Sequence, residues 1–551
     1  MPENDFRVFG IDLGTTYSAI SYVDETGRPT VCRNTDGVET TPSVVYFENE
    51  SNVVVGSVAK NSATVSEERV LSLIKRRMGD DAVYEFDGVA YSPESVSALI
   101  LKQLAQDAQM HVGEQASRAV ITVPAYFGML ERSATKDAGE IAGLDVVNIV
   151  PEPVAAAMHY DAVSDGAGRT ILVYDLGGGT FDTTVIQVGE DAIDVLCTDG
   201  DDSLGGADWD ERLSGFLLEK FTEQVPPDFS PEEDEEFKLT LLNRAEETKK
   251  QLSQAESRPV ALRGGGASAR VEVTREDFEN QTADLLDRTM EIVKRTLEAL
   301  EQKRPGAAVD EVLLVGGSTK MPAVSRRLRE EFGWQPRLHD PDLAVAKGAA
   351  LFALGQVLHR EKQDAQDSER SPDDVVSAAA AQTGISAETL ETLAAKRTRH
   401  VLPKAFGIRL VDTSDPDWET DPEKHFYVKH MVNANDQLPT EESRLPVVTL
   451  HEGQTAVDVA LYEQSGSRAG PGMDENKPVN EGRGTIQGLP PLPAGSPLDV
   501  RMTVDEEGLL QLTATEPSTQ KSLDLQVRVS VRSGEEVDEA KKAVAGIAVS
   551  S

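Results

Sequence analysis

Two short stretches carry the residue types from which a phosphate-handling site is built. Gly10-Ile11-Asp12-Leu13-Gly14-Thr15-Thr16 and Asp175-Leu176-Gly177-Gly178-Gly179-Thr180-Phe181-Asp182 each run from an apolar segment through an aspartate into a glycine- and threonine-rich turn. Glycine lets backbone N–H groups approach phosphate oxygens, and successive amides form an anion nest. Threonine hydroxyls add donors, and the aspartate offers a hard oxygen ligand for hydrated Mg²⁺. One such turn is weak evidence, because glycine also serves ordinary turns. Two copies, facing each other, would clamp a triphosphate from both sides. A third turn, Gly316-Gly317-Ser318-Thr319-Lys320-Met321-Pro322, follows another apolar run and suits the nucleoside side of such a ligand. Gly205-Gly206 and the series Glu246, Lys249 and Ser253 say less, since a loop and the exposed face of a charged helix would look the same.

The turns need strands to hold them. Val8–Leu13, Ala119–Val123, Ile171–Leu176 and Glu311–Val315 are short, apolar and rich in β-branched residues. Helical spacing runs through Ser95–Met110, Arg132–Ile141, Glu235–Leu252 and Asp277–Leu300. The alternation predicts an α/β unit over residues 1–358. Residues 359–399 read as a charged and then helical linker: Arg360–Asp374 is polar, and Val375–Ala395 predicts one or two alanine-rich helices. Over residues 400–535 the pattern becomes seven short strands separated by turn residues, which predicts a β-sandwich. These are Leu402–Val411, Phe426–Val432, Val447–Leu450, Ala456–Tyr462, Leu498–Val504, Leu509–Thr515 and Ser522–Val531. Residues 536–551 hold a short helical tail.

Composition narrows the function classes. Against 54 Lys and Arg stand 95 Asp and Glu, a net charge of −41 that repels nucleic acid and anionic membranes. The two cysteines, Cys32 and Cys197, exclude a disulfide framework and a cysteine-rich zinc site. No apolar run is long enough to span a bilayer and no signal peptide is visible, so a cytoplasmic location is expected.

The segments GIDLGTTYS (10–18), VPAYF (123–127), EPVAAAMHY (152–160), DLGGGTFD (175–182), LGGADWD (204–210) and GGSTKMP (316–322) resemble the signature segments of the Hsp70 (DnaK-type) chaperone family. The resemblance implies an actin-like (ribonuclease H-like) ATPase domain followed by a mostly β sandwich that binds peptides. It implies a chaperone that slowly hydrolyses ATP to ADP and phosphate to control its grip on extended apolar segments of client proteins. Lys75, Glu152, Thr180 and Asp182 resemble the catalytic set, with Lys75 and Glu152 at the attacking water. Asp12 and Asp175, with Asp182, resemble the aspartates around Mg²⁺ and associated K⁺. Gly14, Thr15, Thr16, Tyr17, Gly177, Gly178 and Gly179 match the phosphate side, and Gly205 and Gly206 also match the nucleotide-binding set. Glu246, Lys249, Ser253, Gly316, Gly317, Ser318 and Asp342 match the adenosine side. Pro124 and Arg132 match an interdomain relay. Val457 and Val459, on one face of a strand, match the peptide cleft, although a plain sandwich core would place them the same way. J-domain co-chaperones and nucleotide-exchange factors are the implied partners.

The chain departs from the family in three places. The short apolar linker is replaced by Arg360–Arg399, which leaves interdomain coupling without its usual carrier. An aromatic expected beside Leu445-Pro446 is missing, and Val411–Lys424 adds an acidic loop. The sequence accommodates only the first turns of the family's helical lid. These departures keep a second reading open, a nucleotide-dependent regulator or scaffold for one dedicated partner. A small-molecule kinase on the same fold would leave the sandwich without a purpose.

Overall fold

The structure is a computed structural model, and it describes residues 6–161, 168–189, 192–225, 231–367, 371–466, 468–505, 508–527 and 534–551. Residues 528–531, the end of the last predicted sandwich strand, and the hairpin residues Glu506 and Glu507 lie outside the described residues.

The first half of the α/β domain is built on β1 (Phe9–Asp12), β2 (Tyr17–Val23) and β3 (Pro29–Val31). It continues through the hairpin β4 (Val45–Asn49) and β5 (Asn52–Val55), then α1 (Ser57–Ser62), α2 (Pro93–Val112), β6 (Arg118–Val123), α3 (Met129–Ile141), β7 (Asp145–Pro151) and α4 (Glu152–Asp161). Its main sheet runs β7-β6-β1-β2-β3, with Thr41–Pro42 also bridged to β2. The second half begins with β8 (Arg169–Leu176), β9 (Phe181–Val188) and β10 (Ala192–Asp201). Next come α5 (Gly206–Thr222), α6 (Glu235–Leu252), α7 (Arg275–Gln281), α8 (Ala283–Lys303), β11 (Glu311–Val315), α9 (Pro322–Phe332), β12 (Arg337–Leu338) and α10 (Ala344–Asp367). Both halves use one device: an antiparallel pair joined by a tight turn, with a third strand added in parallel. In β1–β2 that turn is Leu13–Thr16, and in β8–β9 it is Gly177–Thr180.

Small residues let the two halves approach. Helices α4 and α10 cross so closely that a Cβ on Gly348 would sit 1.6 Å from the Ala155 carbonyl oxygen. Ala155, Ala156, Ala157, Ala349 and Ala353 are fully buried in the surrounding core. Bulkier side chains here would force the helices apart, because a packed interior has no slack to absorb them.

The polar stretch after residue 358 is not an open linker. Helix α10 continues to Asp367, and Ala365 is fully buried. Next come α11 (Pro372–Thr383) and α12 (Ala387–Ala395), whose Val375, Val376, Ala379 and Leu390 pack into the same core. The chain then forms β13 (Arg397–Arg399), which extends the second-half sheet by pairing in parallel with β10. The polarity of this region misled because only one side of each helix is buried. The predicted helix Asp277–Leu300 is likewise interrupted at Thr282, which separates α7 from α8.

Among the described residues, the sandwich has eight strands rather than seven. One sheet contains β14 (Phe406–Val411), β15 (Phe426–Val432), β17 (Val457–Gln464) and β18 (Asn476–Ile486), and the other contains β16 (Ser443–Val448), β19 (Pro497–Val504), β20 (Leu510–Glu516) and β21 (Lys521–Val527). The unanticipated strand is β18, an edge strand without apolar alternation. Last come α13 (Gly534–Ala545) and β22 (Ala548–Ser550). Val537, Val544 and Ile547 enter the core of the first half, and β22 pairs in parallel with β5. Lys102 of α2 donates to the Val544 and Ile547 carbonyls at 2.9 and 2.8 Å, satisfying the end of α13. Among the described residues, no helix is long and apolar enough to cross a membrane.

The helix crossing is testable. Gly348→Ala should lower stability by about 1–3 kcal/mol, read from urea unfolding of the intact chain. Gly215→Ala is the control, because a Cβ there meets nothing within 4 Å. Equal midpoints for the two variants would contradict the close packing.

Candidate nucleotide site and interdomain junction

The two glycine–threonine turns meet face to face. A Cβ on Gly178 would lie 1.9 Å from Thr16 Oγ1, and one on Gly179 would lie 2.2 Å from Thr15 Cγ2. Only glycine permits this approach. The start of α5 packs behind the second turn: Gly206 and Ala207 donate their N–H groups to the Gly177 and Gly178 carbonyls at 2.9 and 2.7 Å. The Gly205 N–H is received by Asp208 Oδ2 at 2.7 Å. Arg76 ties both pieces together, donating to the Gly179 carbonyl at 2.8 Å and pairing with Asp208 at 2.6 Å. In the first turn, the Gly14 N–H donates to Ser18 Oγ at 3.1 Å.

Charged groups collect at the floor between the turns. Oxygens of Glu152, Asp175 and Asp182 lie within 4.8 Å of one another, and all three residues are buried. Asp12, at the end of β1, accepts a hydrogen bond from Thr122 at 3.3 Å. Lys75, in the short helical turn Ile74–Arg77, meets Glu152 at 2.6 Å with only 4% of its side chain exposed. Thr180 is buried beside Asp182 in the second turn. Burial pushes Asp12 up to about 7, Glu152 adds to the shift, and Lys75 opposes it. Asp175 and Asp182 are also pushed well up, first by burial and then by neighbouring carboxylates. Asp182 Oδ1 is buried without a hydrogen-bond partner. One lysine cannot balance three buried carboxylates with a fourth, Asp12, half-buried beside them. This hard-oxygen set therefore fits a divalent cation and its waters.

The remaining predicted residues line the mouth and the second half. Tyr17 donates to Glu246 at 2.9 Å, and Glu246 pairs with Lys60 of α1 and with Lys250. Burial alone would raise Glu246, but the two lysines outweigh it and hold it at about 2. Lys249 is buried, bonded to Asp210 and to the Gly206 carbonyl, both at 2.7 Å. Ser253 caps α6 and donates to the Lys249 carbonyl. Ser318 donates to the Gly177 carbonyl at 2.9 Å, while Gly316, at φ +84°, packs against the Leu176 carbonyl. Gly317 abuts Asp342, which pairs with Lys320. The third turn thus touches the second directly.

Pro124 and Arg132 bracket one turn between this site and the sandwich. The Ala125 N–H lies towards Asp182 and favours its charged form, and Arg132 donates to the Phe127 and Ala125 carbonyls at 2.9 and 3.1 Å. Arg132 is in turn held to about 10 by burial. Helix α3 then reaches the sandwich directly. Leu130 joins its core, the Met129 N–H donates to Glu463 at 3.1 Å, and Glu131 pairs with Lys404 at 3.2 Å. Asn435 adds a second contact, accepting the Thr198 N–H of β10 at 2.8 Å. Glu131, Lys404 and Glu463 carry no sequence signal, since each alone is an ordinary charged residue. Within the sandwich, Val459 is buried in the core, and Val457 packs half-buried at its margin. Strands β14 and β17 pair only through Phe406–Ile408, so they part before reaching Val457.

Comparison with known proteins agrees with this geometry. A family model described as Hsp70 protein matches residues 8–86, 80–370 and 371–547. The chaperone protein DnaK of Thermotoga petrophila is 33% identical over 536 residues, covering 96% of this chain and 81% of that protein. The chain therefore belongs to the Hsp70 family of ATP-hydrolysing molecular chaperones, with an actin-like ATPase domain and a β-sandwich substrate domain.

Proposed function

We propose that the junction of the two turns is the ATPase centre and that it controls peptide binding by the sandwich through helix α3 and strand β13. The observation that carries this reading is the cluster of buried carboxylates Glu152, Asp175 and Asp182 around Lys75, with the half-buried Asp12 as a fourth, at the point where the two glycine–threonine turns touch. Mg²⁺, with K⁺ beside it, would be held by Asp12, Asp175 and Asp182 and would neutralise charge on the phosphates. Glu152 fixes the Lys75 ammonium, which orients the attacking water, while Thr180 donates to the γ-phosphate. Backbone amides of Thr15–Tyr17 and Gly178–Thr180 donate to the remaining phosphate oxygens, on turns that the Gly14 and Gly177 N–H groups close internally. Phosphoryl transfer to water depends on positioning and charge neutralisation, and no protein nucleophile is required. Gly205, Gly206, Glu246, Lys249, Ser253, Gly316, Gly317, Ser318 and Asp342 form the nucleoside side.

The relay follows bonded groups. A change at Asp182 is felt by Ala125, whose carbonyl is fixed by Arg132, and α3 carries it to Glu463 and Lys404. Strand β13 gives a second connection, because it joins the sheet that contains β8, β9 and β11. Val457, above the core residue Val459, and the gap between β14 and β17 form the peptide cleft, where an extended apolar client segment adds its backbone to the parted strands. Unfolded clients, a J-domain co-chaperone and a nucleotide-exchange factor are the fitting partners, in the cytoplasm.

Single-turnover ATP hydrolysis should accelerate when an extended apolar peptide is added; indifference to peptide would break the proposed coupling. Lys75→Ala should lower the hydrolysis rate by about 100-fold or more and leave ATP affinity within a few-fold, and unchanged turnover would refute its role. Val457→Asp should weaken peptide binding by about tenfold or more, since a carboxylate resists burial, with ATP affinity intact. Unaltered peptide affinity in a titration would place the cleft elsewhere.

A further inference from the structure

The junction between α3 and the sandwich buries more negative charge than its immediate contacts balance. Glu463 is 1% exposed and, among the described residues, accepts the Met129 N–H from the nucleotide domain. Glu131 gives Oε1 to Lys404, but its Oε2 is buried without a partner. The two carboxylates crowd one spot. A Cβ on Gly128 would lie 2.5 Å from Glu463 Oε1 and 2.8 Å from Glu131 Oε2. Two like-charged groups from two domains are thus pressed together out of water, with the Lys404 ammonium bonded to Glu131 beside them.

We propose that Glu463 enters this interface carrying a proton, which it releases to solvent when the sandwich undocks, so that attachment of the sandwich to the nucleotide domain weakens as pH rises. The proton removes one of the two facing charges. The carbonyl oxygen of the acid still receives the Met129 N–H.

The surrounding groups do not cancel the effect. Burial raises Glu463 to about 7 and Glu131 adds to this, while Lys404, the Met129 N–H and Lys477 oppose it. Lys477 stands opposite Glu463 on β18. Arg132 attracts both glutamates from α3, but its guanidinium is committed to the Ala125 and Phe127 carbonyls. His400 faces Arg132 and is held to about 4 by burial and by that guanidinium, so it stays neutral. Asp202 acts on Lys404, strengthening its ammonium.

The sign follows from linkage. The carboxyl binds its proton more tightly docked, near 7, than free in water, near 4.5. Its contribution to docking is complete below the lower value. It is lost progressively up to the higher value, where both states have released the proton. In that window the docking constant falls by up to about tenfold per pH unit, and above it the dependence ends.

The inference rests on the interface geometry and needs none of the assigned nucleotide roles, so its test reads docking rather than hydrolysis. Val65 and Val448 are exposed, one on each domain, while the native Cys32 and Cys197 are buried. Cysteines placed at the two valines can carry a fluorescent donor and acceptor on the full chain under saturating ATP. Energy transfer between pH 5.5 and 8.5 should show docking declining more than tenfold towards pH 7 and then levelling. Glu463→Gln keeps the acceptor for Met129 and should remove that slope. A flat wild-type profile, or a wild-type slope in Glu463→Gln, would overturn the proposal. If Glu463→Gln fails to dock at any pH, proton release on undocking of the wild type decides at pH 6. An excess of close to one proton per molecule supports the proposal, and none defeats it.

Discussion

Glu152, Asp175 and Asp182 are buried together around one lysine, with the half-buried Asp12 beside them, and the packing of the nucleotide domain is what forces that arrangement. Asp12, Asp175 and Asp182 are pushed upward by burial and by their neighbours, so the protein alone leaves them in repulsion. A cation bound there would convert this cost into binding strength, because ligands already gathered and desolvated need little further ordering. Lys75 cannot play that part, since Glu152 holds its ammonium at 2.6 Å. The pair is better suited to positioning a small polar molecule than to neutralising the site. Such a centre can position a reacting molecule without supplying a nucleophile of its own.

The same constraint explains the close contact of the two turns. Each places its aspartate at a strand end and then exposes backbone amides, and this geometry recurs in both halves because both use a hairpin joined to a parallel strand. Bringing the turns together requires the halves to pack without bulk between them. Gly348 against Ala155 provides that at the helix crossing, and Gly178 and Gly179 against Thr16 and Thr15 provide it at the site. Packing and chemistry therefore rest on the same small residues.

How much of this could be read from the sequence depended on whether the chemistry is local. The meeting of the turns that carry Asp12, Asp175 and Thr180 was legible because the pattern of aspartate, glycine and threonine recurs at short spacing within each turn. The strands that hold them were legible because they are short, apolar and buried on both faces. The run after residue 358 was misread as a linker because α10 keeps only a narrow buried stripe there, marked by Ala365. Strand β18 escaped because an edge strand needs no apolar alternation. The junction of Glu131, Lys404 and Glu463 was invisible for a different reason. Its members come from distant parts of the chain, and their meaning arises only when burial brings unbalanced charge together.

The sandwich is tied to the nucleotide domain at both of its ends, and to different halves. Its entry strand β13 extends the second-half sheet on β10, whereas α13 and β22 settle on α2, α3 and β5 of the first half. Helix α3, which contacts the sandwich through Met129, Leu130 and Glu131, belongs to that first half as well. A rotation of one half against the other therefore changes the separation of the two anchors. The sandwich must then deform, or one attachment must let go. Paired strands and a packed helix yield less readily than a charged interface with a carboxylate short of partners, so the Glu131–Glu463 contact is where such a movement would first be felt.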